Sequence, residues 1–144
     1  MTKEYEYVSQ TVSGKAQWFV SKVKEYPNEN LTGAIVTQYA YTFFANTYTV
    51  EQKTTTLPAV STGNNGNGVA ATRVERFDKY GNLLWSKDEL GIITYRQYDY
   101  ALGVRVKTIV DVNTVKTSDF NTSVPSGCDS VRGLVENPGD GIRL

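Results

Sequence analysis

The sequence contains no histidine, one cysteine and one methionine among its 144 residues. The absence of histidine excludes His-based catalytic triads, the usual zinc ligand sets and most general acid–base sites. The single cysteine, Cys128, excludes a disulfide within the chain, and without an activating histidine it makes a poor nucleophile. We therefore expect a protein that is not an enzyme and that holds no metal or other cofactor.

Long apolar runs and an excess of charge are also missing. No stretch approaches the ~18 apolar residues of a membrane-spanning helix, and the N-terminal residues show no apolar region typical of a signal peptide. Fifteen Lys and Arg residues balance fifteen Asp and Glu residues, so the net charge is zero. This balance favours neither nucleic acid nor an anionic membrane as a partner. We expect no nucleic-acid partner and no membrane insertion.

What the sequence has in abundance is tyrosine, with ten residues, beside many valines and threonines. These residue types favour β-strands, and short runs of them bounded by Gly, Asn, Asp or Pro are typical of strands and turns. The runs that predict strands are 16–24, 34–43, 47–56, 73–79, 83–87, 92–98 and 104–112. The sequence thus predicts an all-β fold, a meander of about seven antiparallel strands in a sheet with open edges.

The chain divides into four regions on this pattern. Residues 1–57 form a first β region, and residues 58–71 form a Gly/Asn-rich segment expected to be a flexible loop. Residues 72–112 form a second, more regular β region. Residues 113–144 lose the pattern, and we expect an irregular, disordered tail there.

Aspartate and glycine recur together in the second β region, as Asp78 with Gly81, Asp88 with Gly91, and Asp99 with Gly103. An Asp that opens a turn can accept hydrogen bonds from the backbone N–H groups that follow it. A Gly near the end of the turn takes the positive φ that other residues resist. Each pair therefore predicts a turn, and the residues between turns are long enough for one strand. Hairpins in series build a continuous antiparallel sheet.

These residues resemble the YD repeat of the Rhs (rearrangement hotspot) family. The repeat is an aromatic-Asp pair, a Gly three residues later, an apolar run, Asp-x-x-Gly, Thr and a second aromatic-Asp pair. The corresponding segments of this chain are Phe77-Asp78-Lys79-Tyr80-Gly81, Asp88-Glu89-Leu90-Gly91-Ile92-Ile93-Thr94 and Tyr98-Asp99. The resemblance is weaker over residues 3–56, where Gln38-Tyr39-Ala40-Tyr41 echoes Gln97-Tyr98-Asp99-Tyr100 with Ala40 in place of the aspartate.

The resemblance implies a structural β-module whose repeat residues are architectural and include no catalytic residue. In the family, many YD repeats wind into a hollow β-shell that encloses a C-terminal toxin or forms a cell-surface module. It implies an extracellular or cell-surface location. A chain of this length holds too few repeats to close a shell, so we expect a fragment or short divergent member of a larger protein. Open sheet edges would pair with another copy or with a longer Rhs-like chain.

Two alternatives remain open from the sequence. Aromatic residues could form a sheet face that stacks on a glycan, as YD repeats have been associated with carbohydrate binding, or they could be ordinary cross-strand packing. The residues concerned are Trp18, Tyr39, Tyr41, Trp85, Tyr95 and Tyr98, and the candidates for glycan stacking are Trp85, Tyr95 and Tyr98. The three turn aspartates could bind calcium weakly instead of only capping turns. The Gly-rich stretch Gly63-Asn64-Asn65-Gly66-Asn67-Gly68 lacks both the Lys-Ser/Thr of a phosphate loop and the ligand pattern of a calcium loop.

Overall fold

A computed structural model describes residues 1–110 of the chain. These residues form eight β-strands and one short 3-10 turn, with no α-helix among them. The strands are β1 (Thr2–Val12), β2 (Lys15–Tyr26), β3 (Ile35–Phe43), β4 (Val50–Thr56), β5 (Thr72–Phe77), β6 (Leu83–Lys87), β7 (Ile93–Asp99) and β8 (Val104–Ile109). The predicted all-β fold class is therefore confirmed. The expected tail at 113–144, with Cys128, lies outside the described residues.

The strands fall into two compact units, Met1–Asn82 and a second that begins at Leu83. Within the first unit the strand order in the sheet is β1-β2-β3-β4-β5, and within the second it is β6-β7-β8. Neighbouring strands in each unit are antiparallel. Within each unit, each strand thus pairs with the strands next to it in the chain, as antiparallel strands joined in sequence do.

Strand β1 was not among the predicted strands. Its sequence alternates between two faces, and it turns into β2 through Ser13 and Gly14, both of which have positive φ, at 49° and 78°. Two consecutive residues of positive φ are what a two-residue hairpin turn needs. The turn pairs Val12 with Lys15 and fixes the register as far as Tyr7, which pairs with Val20. Beyond a register shift, Glu6 pairs with Lys22. The extra residue at this bulge therefore lies in β2, and β1 itself runs without interruption.

An aromatic cluster joins β2 and β3 in the first unit. The ring of Phe19 lies 5.5 Å from Tyr41 and 4.9 Å from Phe43, measured between centroids. The Tyr41 hydroxyl donates a hydrogen bond to the Val20 carbonyl at 2.8 Å, and burial raises the pKa of this phenol. All three rings remain partly exposed to solvent. No strand residue of the first unit is fully buried, so this unit depends on cross-strand pairing more than on a core.

The buried core of the described residues belongs to the second unit. Its members are Trp85, Ile93, Tyr95 and Ile109, with exposed fractions of 2%, 5%, 5% and 8%. Trp85 pairs with Tyr95 across β6 and β7, and Tyr95 pairs with Ile109 across β7 and β8. Directly paired residues share a face of the sheet. Trp85, Tyr95 and Ile109 therefore form one row across β6, β7 and β8.

The segment between β4 and β5 is closed by backbone hydrogen bonds. The Leu57 N–H donates to the Ala71 carbonyl at 2.8 Å, at the base of the loop. Within the loop, the Gly66 N–H donates to the Ser61 carbonyl at 3.0 Å, and the Gly68 N–H donates to the Val60 carbonyl at 2.9 Å. A 3-10 turn spans Thr62–Asn64. The Gly/Asn-rich segment, which the sequence predicts as a flexible loop, thus has backbone hydrogen bonds of its own.

Substitution of Gly66 by alanine should destabilise this loop. A Cβ at Gly66 would lie 2.0 Å from the Val60 carbonyl oxygen, so the backbone must move. We expect Gly66→Ala to lower the free energy of unfolding by about 1–3 kcal/mol in urea denaturation. The matched control is Gly63→Ala, whose nearest neighbour is the Ser61 Oγ at 4.0 Å and which should leave stability nearly unchanged. Equal effects of the two substitutions would contradict this packing.

Candidate functional site

The turn after β5 is organised by the side chain of Asp78. Its Oδ1 accepts hydrogen bonds from the backbone N–H groups of Tyr80 at 2.9 Å and Asn82 at 2.8 Å, and its Oδ2 accepts one from the Asn82 side chain at 2.9 Å. The Asp78 N–H donates to the Asn82 carbonyl, and the Gly81 N–H donates to the Asp78 carbonyl. Gly81 has φ of 86°. The buried carboxylate is therefore engaged at both oxygens within the turn.

The turn after β6 repeats this arrangement at Asp88. Its Oδ1 accepts from the N–H groups of Leu90 at 3.0 Å and Ile92 at 2.9 Å. The Asp88 N–H donates to the Ile92 carbonyl at 3.0 Å, and the Gly91 N–H donates to the Asp88 main-chain carbonyl at 3.1 Å. Gly91 has φ of 87°. The backbone of the two turns, ten positions apart in the sequence (78 to 88), is held by the same set of hydrogen bonds.

The third turn differs because it is one residue longer. Asp99 Oδ1 accepts from the N–H groups of Ala101 at 2.9 Å and Leu102 at 3.1 Å, and Gly103 takes positive φ at 68°. The turn joins Asp99 to its partner Val104. At the position that corresponds to Asp99 in the first β region stands Ala40, which has no carboxylate. There the chain does not turn, and β3 continues to Phe43.

Loss of the Asp88 carboxylate should weaken the second of these turns. Asp88→Ala removes two hydrogen bonds from backbone N–H groups, so we expect the free energy of unfolding to fall by about 1–3 kcal/mol. Asp88→Asn keeps an oxygen in the Oδ1 position and should lose less than half as much. Both values come from urea denaturation followed by circular dichroism. An asparagine variant as unstable as the alanine variant would mean that the acceptor oxygen is not what holds the turn.

The predicted glycan-stacking residues lie mostly in the core. Trp85 is 2% exposed and Tyr95 is 5% exposed, so neither offers a ring face to a sugar. Tyr98 is half-buried, and its hydroxyl donates to the Leu83 carbonyl at 3.0 Å. Trp85 Nε1 is buried without a hydrogen-bond partner among the described residues. Burial of the β6–β8 face thus corrects the interpretation of Trp85 and Tyr95 as a glycan platform.

Three aromatic side chains of the β1–β2 hairpin are exposed. Tyr5 is 50% exposed, Tyr7 56% and Trp18 65%. Tyr5 and Tyr7 are two residues apart in β1, and Trp18 pairs with Ser9, two residues beyond Tyr7. Alternation along a strand places Tyr5, Tyr7 and Ser9 on one face, so the three aromatic rings share it. We call Tyr5, Tyr7 and Trp18 the hairpin aromatic strip. Trp18 is among the aromatic residues that the sequence predicts for a sugar platform, whereas Tyr5 and Tyr7 are not, because β1 is not among the predicted strands.

The opposite face of the same hairpin carries an ion-pair ladder. Lys22 Nζ lies 2.7 Å from Glu6, and Lys24 Nζ lies 2.9 Å from Glu6 and 3.8 Å from Glu4. These contacts lower the pKa of Glu6 through hydrogen bonds from both lysines, and they raise the pKa of Lys24. The pairs lie in water, where each contributes little to stability. Their main effect is to balance the acidic charges of β1 with the basic charges of β2.

Neither a metal site nor a membrane-spanning helix is found within residues 1–110. No group of three or more His, Cys, Asp or Glu residues there is placed to hold a metal ion. In the same range, no helix has the length and apolar character needed to cross a membrane. No family model, curated protein or solved structure matches the chain. Its function therefore has to be argued from the repeated turns and the exposed surfaces.

Proposed function

We propose that the chain is a non-enzymatic structural β-module, built of hairpin repeats that resemble the YD repeat of the Rhs family. In this proposal it forms part of a larger cell-surface or toxin-encapsulating protein. The observation that carries the proposal is the identical backbone hydrogen bonding of the turns at Asp78 and Asp88. Repetition of one turn geometry at a constant spacing is what a module needs to extend a sheet one strand at a time.

The use made of the aspartates supports an architectural role. Asp78 accepts bonds at both oxygens, and Asp88 accepts two backbone bonds at one oxygen. These carboxylates therefore stabilise the chain reversal between strands. The core row from Trp85 through Tyr95 to Ile109 points the same way, because successive strands each add one side chain to it.

Duplication of the repeat tests this proposal directly. A second copy of residues 78–97, inserted between Gln97 and Tyr98, adds two turn-and-strand units and so preserves the direction of the strands that follow. A structural repeat should accept the insert as two further strands. We expect an unchanged or higher unfolding free energy and a larger urea m-value, since the m-value scales with the surface exposed on unfolding.

The control is an insert of the same composition with its sequence shuffled. It should behave as a long loop, leave the m-value near that of the parent chain and add no strand signal in circular dichroism. A true duplicate that behaves like the shuffled insert, or that unfolds the protein, would refute the structural-repeat proposal.

A second candidate function, carbohydrate binding, is favoured by the hairpin aromatic strip. Exposed rings in a row on a strand pair present flat apolar faces, which suit the apolar faces of sugar rings. The strip has three members that are each at least half exposed, unlike the buried pair Trp85 and Tyr95. The proposed ligand is an extended oligosaccharide lying along β1.

A glycan array followed by calorimetry with the strongest-binding oligosaccharide tests this second candidate. Trp18→Ala and Tyr7→Ala should each weaken binding about tenfold or more. Tyr80→Ala is the matched control, because Tyr80 is also an exposed tyrosine, at 67%, but lies outside the strip. Absence of saturable binding, or equal loss in all three variants, would exclude the strip as a glycan site.

A further inference from the structure

We propose that β1 is a pairing edge for a second copy of this chain, and that two β1 strands join antiparallel in a register centred on Tyr7. This inference rests on the proposed structural role, because strand addition is how a sheet module joins a neighbour. It goes further by naming the partner, the strand and the residue pairs.

The first argument is the exposure of the β1 strand edge. Among the described residues, β1 pairs with β2 alone, so its other edge presents a row of backbone N–H and C=O groups. The strand is 11 residues long, and all its residues except Gln10 and Val12 are exposed. The bulge at Glu6 and Tyr7 places its extra residue in β2, which leaves the outer edge of β1 regular. A long, regular and exposed edge is a template for another strand.

The second argument is the composition of the strand. Natural edge strands are usually protected from pairing by lysine, proline or a bulge. From Tyr7 to Val12, β1 has no charged residue, no proline and no glycine. It has instead the residue types of self-pairing strands, with Val8 41% and Tyr7 56% exposed. The charges of β1 are confined to Lys3, Glu4 and Glu6, and β2 pairs all three.

The charges also select the register. Consider two copies of β1 related by a twofold axis normal to the sheet. Directly opposite residues of the two strands then lie on the same face, and the residue at the centre of the register lies opposite its own copy. A register centred on Glu4 or on Glu6 places that carboxylate opposite its own copy, and one centred on Tyr5 places Glu4 opposite Glu6. Like charges directly opposite one another destabilise a strand pair. The register centred on Tyr7 avoids all of these contacts and pairs the whole strand, from Thr2 opposite Val12 onwards.

In this register each charged residue of β1 meets an uncharged one. Glu4 lies opposite Gln10, whose amide donates one N–H to the Thr47 carbonyl at 3.2 Å and has a second N–H for a carboxylate. Lys3 lies opposite Thr11. Tyr7 lies opposite the Tyr7 of the other copy, which forms a cross-strand aromatic pair at the centre. A fully paired ladder of this length adds about 10–12 backbone hydrogen bonds. The hairpin aromatic strips of the two copies then continue across the junction on one face.

Disulfide cross-linking of the full chain in a Cys128→Ser background tests the register. Tyr7→Cys should form a dimeric disulfide with itself, because directly opposite residues lie within disulfide reach. Lys3→Cys alone and Thr11→Cys alone should not, whereas a mixture of the two should cross-link. Cross-linking of either single variant with itself, or failure of the mixture, would refute the register.

Charge substitution at Val8 tests the pairing without a cross-link. Val8 lies opposite Glu6 of the other copy in this register, so Val8→Lys should tighten the dimer and Val8→Glu should weaken it. Two equivalent pairs per dimer give an expected change of about 2- to 30-fold in Kd in each direction, measured by analytical ultracentrifugation. Changes of the same sign in both variants would contradict the proposal.

A chain that stays monomeric at every concentration would overturn the pairing, including the case in which another segment of the same chain covers β1. That case would show β1 amides protected from hydrogen exchange in the monomer. A monomeric chain would not refute the proposed structural role, because the repeat-duplication experiment does not depend on association. A monomer that accepts the duplicated repeat would support the structural role and refute the pairing of β1. A dimer that unfolds when the repeat is duplicated would support the pairing and refute the structural role.

Discussion

The hydrogen bonds from backbone N–H groups to an aspartate carboxylate are the interaction on which the more regular part of this fold depends. At Asp78 and Asp88 one oxygen holds two N–H groups, from the second and fourth residues that follow. This closes the chain into a turn of constant length and brings a glycine to the position of positive φ. At Asp88 the turn also sets the register between β6 and β7 that places Trp85 opposite Tyr95. The pairing of Tyr95 with Ile109 depends in addition on the longer turn at Asp99 and on a register shift between Gln97 and Tyr98.

The two units use different means to stabilise a sheet. The second places Trp85, Tyr95 and Ile109 opposite one another, so that their burial adds to the strand pairing. The first has no fully buried strand residue, and its strands are joined by ion pairs such as Arg76 with Glu51 at 2.6 Å and by partly exposed rings. Such contacts are individually weak in water. The backbone ladder therefore carries more of the stability of the first unit, and an added strand at its edge would matter more there.

The sequence predicted the fold class and most strands because their signals are local. Alternation of β-formers and the Asp-x-x-Gly pattern act within about ten residues, and both were visible at 73–112. Strand β1 was missed because its Glu-Tyr alternation and its turn at Ser13 and Gly14 were not recognised as a hairpin. The backbone hydrogen bonds around Gly66 could not be predicted from the sequence for another reason. They are made with Val60 and Ser61, and the composition of a Gly/Asn-rich stretch predicts only its lack of a core.

The tyrosines show why the aromatic platform could not be placed from the sequence. One residue type serves three physical roles that depend on the position of the strand in the sheet. Tyr95 lies inside a three-strand row and is buried. Tyr41 and Tyr98 lie where their hydroxyls reach a main-chain carbonyl of a neighbouring strand, at 2.8 and 3.0 Å, and so act as cross-strand ties. Tyr5 and Tyr7 lie on a strand with one partner in the described chain, and their rings stay in water. Amino-acid composition does not distinguish these tyrosines from one another. The pairing of their strands does, because it determines which tyrosine is buried in the core, which one hydrogen-bonds to a neighbouring strand and which one stays exposed for a partner.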